Sequence, residues 1–112
     1  MRDKDIECSI KILVVDDDPL NIMIVKDILE NKHELTIAMS GAEALRKIEN
    51  FIPDIILLDI MMSNLNGYEV TRKIRQKFPD QNIKIILVSA KTNLRDRLEG
   101  YEAGADDYNQ TF

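Results

Sequence analysis

The hydrophobic pattern of this chain alternates between two periods. Ile10–Val15 (IKILVV), Ile55–Leu58 (IILL) and Ile83–Val88 (IKIILV) are short, nearly continuous apolar runs rich in β-branched residues, as strands buried on both faces should be. Leu35–Met39 reads as one more strand, and Tyr108 with its neighbours as a fifth. Between these runs apolar residues recur at helical spacing. The first helix follows Asp16-Asp17-Asp18-Pro19, where Asp18 suits an N-cap and Pro19 the first turn, and it extends to about Asn31. Ser40 with Glu43 three residues on has capping-box spacing, and it opens a second helix with Leu45 and Ile48 on its inner face. Pro53 closes that unit. Gly67 leads into a third helix carrying Val70 and Ile74, which ends at the Pro79 region. Leu94, Leu98 and Tyr101 mark a fourth helix, with Gly104 as its C-cap.

Strands alternating with helices through short loops predict an α/β fold built on an open, doubly wound parallel sheet of five strands. Right-handed crossovers then place helices on both faces. Ligands in such sheets bind beyond the carboxyl ends of the strands. The residues just past those ends are Asp16, Asp17, Asp59, Ser89 and Thr111.

Composition narrows the field. The 112 residues suit one domain, and 45% apolar with 31% charged residues suits a packed core. Twenty acids against fifteen bases leave a net charge of −5, which argues against a non-specific grip on nucleic acid. Cys8 is the single cysteine, so an internal disulfide and a multi-cysteine zinc site are excluded, and a reducing compartment fits. No apolar run approaches the ~20 residues of a membrane span, and the N-terminus lacks the pattern of a signal peptide. The expectation is a cytoplasmic protein. His33 reads as a loop residue and the RKIRQK run at 72–77 as the solvated face of the third helix.

The strand ends carry the candidate chemistry. A lone aspartate after a strand is commonly a turn former or a cap. Three that converge are different, because like charges a few ångströms apart repel strongly unless a cation compensates them. Oxygen ligands with no His or Cys beside them favour Mg²⁺, Mn²⁺ or Ca²⁺ over zinc. Few protein ligands and an open side favour Mg²⁺, which keeps its waters and bridges to phosphate. Ser89 adds a hydroxyl donor on another strand. A flavin or nucleotide pocket is disfavoured, since acids follow strand one where Gly, Ser or Thr donors would be needed.

ILVVDDD at 12–18, LLDIMM at 57–62, Gly67, VSA at 88–90 and GADDY at 104–108 together resemble the receiver domain of two-component response regulators, over nearly the whole chain and in the right order. The resemblance implies a flavodoxin-like sheet of strand order 2-1-3-4-5. It implies that Asp59 accepts a phosphoryl group from a sensor histidine kinase or a histidine phosphotransfer domain. Asp17 and Asp59 would bind Mg²⁺ directly, Asp16 through water, and the Met61 backbone carbonyl would complete the protein ligands. Ser89 would hydrogen-bond the phosphoryl oxygen, and Tyr108 would be the aromatic that reorients in switching. Such a domain is no enzyme beyond catalysing its own phosphorylation and dephosphorylation. Asn21 within DDDPLNIMIV is reminiscent of receivers attached to hybrid sensor kinases.

Three positions depart from the family pattern. Ser63 stands where a proline is usual four residues after the phosphoacceptor. Thr111 stands where a lysine is expected after strand five, which favours an alternative function as a protein-interaction module without productive switching. Lys91, after VSA, is the candidate for supplying that charge from another loop. Third, the alternation calls for a helix after strand five, whereas the sequence ends at Phe112. The expectation is a receiver domain over 1–112 that stops after strand five. Helix one holds Leu20, Ile22, Met23, Ile24, Val25, Ile28 and Leu29, more than the stripe needed to cover a sheet. Self-association through helix one and strand five follows as an expectation.

Overall fold

A computed structural model describes residues 9–62, 66–89 and 94–110. Five strands, β1 (Lys11–Val15), β2 (Glu34–Ala38), β3 (Ile55–Asp59), β4 (Lys84–Ser89) and β5 (Asp107–Gln110), form one sheet. Their spatial order is β2-β1-β3-β4-β5, parallel throughout. The connections are α1 (Pro19–Leu29), α2 (Gly41–Ile48), α3 (Gly67–Lys77) and α4 (Leu94–Ala103). The predicted topology is the observed one, with four helices among the described residues.

Side chains alternate across the sheet, so each strand feeds two different environments. Leu13, Val15, Ile56, Leu58, Ile85 and Leu87 face a core closed by Ala44 and Ile48 of α2, Val70 and Ile74 of α3 and Ala103 of α4. Ile12 and Val14 point the other way and are buried with Ile22 of α1, outside that cluster.

Helix ends follow the predicted chemistry in most places. Asp18 accepts the Leu20 N–H and Pro19 occupies the first turn of α1. The box predicted at Ser40 is only half made. Ser40 Oγ accepts the Glu43 N–H, but Glu43 Oε1 takes the N–H of Met39 while its Oε2 pairs with Lys47. A reciprocal box forms instead at Asn66 and Glu69, which starts α3. Among the described side chains of α4, Gly100 and Ala103 are buried, whereas Leu98 and Tyr101 are exposed. Gly104 ends that helix with φ +112°, a conformation that penalises any side chain. Arg75 clips this turn to the sheet, donating to the carbonyls of Gly104 and Ile83 and to Asp106.

Candidate functional site

The site is assembled by strand register. Val15 pairs with Leu58, which brings the following residues, Asp16 and Asp59, to the same level at the carboxyl ends of β1 and β3. One carboxylate oxygen from each of Asp16, Asp17 and Asp59 lies within 4.8 Å of the others. The three acids singled out in sequence therefore do converge.

Each acid is held differently. Asp16 Oδ1 accepts the Asp18 N–H at 2.9 Å, and its Oδ2 accepts Asn21 Nδ2 at 3.2 Å, so the first turn of α1 fixes it. Asp59 Oδ1 accepts the Met61 N–H at 3.2 Å. Partial burial, then the charge of Asp16, raises the Asp59 carboxyl from 3.8 to about 6; the Met61 N–H opposes this and Asp17 adds to it. A carboxylate kept partly dry beside two others is poorly compensated by the protein alone. An all-oxygen donor set of three acids, open on one side, fits a hard divalent cation.

The loop after Asp59 is pressed into place from behind. Gly67 N–H donates to the Ile60 carbonyl, and a Cβ at Gly67 would lie 2.9 Å from Ile60 Cα and 3.0 Å from the Asp59 carbonyl oxygen. Only glycine lets the start of α3 approach the end of β3 this closely.

Ser89 stands at the end of β4, one residue past Val88, which pairs with Asp59, and is 2% exposed. Met61 is itself exposed, directly beyond the acid it bonds. Tyr108 is 3% exposed on β5, and its buried hydroxyl has no hydrogen-bond partner among the described residues. Ser63, Lys91 and Thr111 lie outside the described residues.

Three participants were missed in sequence. Asn21 was noted only as a reminiscence, yet it anchors Asp16; its place five residues on, just inside a Pro-started helix, was the available signal. Gly67 marks the family resemblance and the way into a helix in sequence, but its close packing against the end of β3 is not legible there. Tyr68 donates to the Asp96 carbonyl at 3.2 Å, and burial first, then the Tyr108 hydroxyl beside it, raises its phenol above the ordinary value. Nothing periodic in the sequence marks that pair.

The comparisons agree with the geometry. The family model for the response regulator receiver domain matches residues 12–109. The response regulator PleD of Caulobacter vibrioides is 38% identical over 101 residues, covering 89% of this chain and 22% of PleD, so the chain spans about a fifth of that protein. The BeF3 activated DrrB receiver domain is 32% identical with a TM-score of 0.80, covering 92% of this chain and 85% of that one. The Mn(2+)-bound form of response regulator Rcp1 is 26% identical with a TM-score of 0.79, covering 92% and 81%. With the acids, the strand order and the family match in agreement, the chain belongs to the response regulator receiver domains, the signalling modules of two-component systems.

Proposed function

We propose that Asp59 accepts a phosphoryl group from a phosphohistidine on a sensor histidine kinase or histidine phosphotransfer domain, in the cytoplasm. The convergence of Asp16, Asp17 and Asp59 carries this reading. A carboxylate oxygen of Asp59 attacks phosphorus, the phosphorus–nitrogen bond breaks, and the imidazole leaves with its electron pair and takes a proton. Bound Mg²⁺ would supply positive charge where the phosphoryl oxygens accumulate negative charge. Asp17 and Asp59 would hold it, with Asp16 and the Met61 carbonyl contributing. Asp16 is kept in place for this by Asn21 and the Asp18 N–H. Ser89 offers a hydroxyl to a phosphoryl oxygen. The chain is an acceptor, and its catalysis is confined to its own phosphorylation and dephosphorylation. The BeF3 activated form of DrrB and the Mn(2+)-bound form of Rcp1 support the reading by similarity.

Thr111 favours a second reading, a binding module that does not switch. A lysine there would give a charge-assisted contact worth about 1.5–3 kcal/mol, against one neutral hydroxyl. Incubation with acetyl phosphate separates the two. Mg²⁺-dependent labelling that Asp59→Asn abolishes supports the acceptor. No labelling of the folded wild type, with Mg²⁺ binding unaltered in Asp17→Asn by calorimetry, defeats it.

A further inference from the structure

Asp16 is held at its backbone and at both ends of its carboxylate. Its N–H donates to the Ala38 carbonyl at 3.1 Å, extending the β1–β2 ladder by one residue. Its Oδ1 accepts the Asp18 N–H, and its Oδ2 accepts Asn21 Nδ2. The first two bonds use main-chain donors, which most residues at those positions would supply. The third depends on a particular side chain.

Asn21 lies in the first turn of α1, three residues after the N-cap Asp18. A polar side chain at that position commonly accepts the N–H of the cap itself, as Glu69 does for Asn66 in α3. Here Asp16 takes the Asp18 N–H, and Asn21 donates to the other oxygen of the same carboxylate. Asn21 is exposed, and asparagine is a weaker helix former than leucine, lysine or glutamate, so neither burial nor helix propensity accounts for it. Its amide is also uncharged. A lysine reaching the same oxygen would neutralise Asp16, whereas the amide restrains the carboxylate and leaves its charge for a cation.

Restraint of this kind bears on ion size. Mg²⁺ demands near-octahedral geometry with bonds of about 2.0–2.1 Å and keeps several waters. Ca²⁺ takes about six to eight oxygens at about 2.3–2.6 Å, and it gains from carboxylates free to turn and bind through both oxygens. An acid pinned at both oxygens gives up a hydrogen bond if it turns. We infer that Asn21 is a positioning residue which, by pinning Asp16, makes the acidic site prefer Mg²⁺ to Ca²⁺. The inference rests on the metal-binding reading of Asp16, Asp17 and Asp59 and adds to it the choice of ion. Without Asn21, Asp16 Oδ2 loses this donor and the carboxylate can pivot about its bond to the Asp18 N–H. The larger ion then gains a ligand, while the smaller one loses an ordered charge.

Calorimetric titration of the metal-free chain with Mg²⁺, and separately with Ca²⁺, reads both affinities without any phosphorylation. In Asn21→Ala the ratio of Mg²⁺ to Ca²⁺ affinity should fall about threefold or more, within the range that partners of metal-binding side chains commonly contribute. Alanine is the better helix former, so the variant should keep the wild-type circular dichroism; Asn21→Leu, of similar size and without a donor, serves if it does not. In an Asp16→Asn background, Asn21→Ala should leave the ratio unmoved, because Asn21 acts through that carboxylate. An equal fall for both ions, or no change, overturns the inference and leaves Asn21 a fastener with no say in which ion is held. So does a shift in the ratio that persists in the Asp16→Asn background. A wild-type chain that binds neither ion overturns the metal-binding reading itself, and this inference with it.

Discussion

The two faces of the single sheet differ in what they are built to do. On one, α2, α3 and α4 close a dry core in which Leu13, Leu58, Ile74, Ile85 and Leu87 have no solvent exposure. On the other, α1 is the one helix among the described residues, and β3 alternates between partly buried and buried positions along its length. Asp59 belongs by that alternation with Ile55 and Leu57 on the wetter face. A carboxylate on the dry face would have to stay neutral or be fully paired. Placed at the end of the wetter face, it is partly desolvated, which raises its pKa, and still accessible. Rigidity comes from one face and chemistry from the end of the other.

Adjacent leucines offer the sharpest way to break that contrast. Leu58→Ala opens a cavity in the closed core and should cost about 2–5 kcal/mol. Leu57→Ala, one residue earlier on the half-covered face, should cost about 1 kcal/mol because its surroundings are already partly hydrated. Urea denaturation of both decides it. Equal losses would mean the two faces are equally packed.

The same contrast explains what the sequence disclosed. The strands were legible because parallel strands of this kind are apolar throughout, and a run such as IILL has no other easy home. Their ends were less so. Glu34 and Ser89 are polar, yet the backbone ladder includes them, pairing Glu34 with Lys11 and Ser89 with Gln110. The three acids were legible because topology alone says where strand ends meet. Asn21, Tyr68 and the true capping box at Asn66 were not, because each depends on a side chain reaching across a turn or between elements. Leu98 and Tyr101 show the converse: apolar residues marked α4 correctly, but small residues, Gly100 and Ala103, occupy its buried side so that it can lie close to the sheet. In helix one the apolar surplus read from sequence is real, and Leu20, Met23, Ile24 and Ile28 stand exposed.

Gly67 joins the rigid face to the chemical end, and its replacement should be felt at both. In Gly67→Ala the new methyl meets Ile60 Cα and the Asp59 carbonyl inside contact distance, and neither is the tip of a flexible side chain. Either α3 or the strand end must retreat, at a cost of about 1–3 kcal/mol. If the strand end yields, Mg²⁺ affinity measured by calorimetry falls along with stability. Should stability fall while Mg²⁺ binding is preserved, α3 has moved and the site is held by β1 and β3 alone.

The smallest expected effect is the most specific to the wetter face. In the metal-free protein Asp59 titrates at about 6 against an ordinary 3.8, through burial first and then the charge of Asp16. Between those values the folded chain binds more protons than the unfolded one, so stability falls as pH rises from about 4 to 6 and stays lower above it. The full shift would correspond to about 3 kcal/mol, and solvent on the open side reduces it to about 1 kcal/mol. Asp59→Asn keeps the shape and removes the charge. It should therefore unfold at higher urea than wild type at pH 7 without Mg²⁺, match it near pH 4, and lose most of the slope between. Adding Mg²⁺ should narrow the pH 7 difference, because the wild-type carboxylate then gains its counter-charge. A variant no more stable than wild type at pH 7 would show that Asp59 is hydrated well enough to need no cation, and the wetter face would then be wetter than its geometry implies.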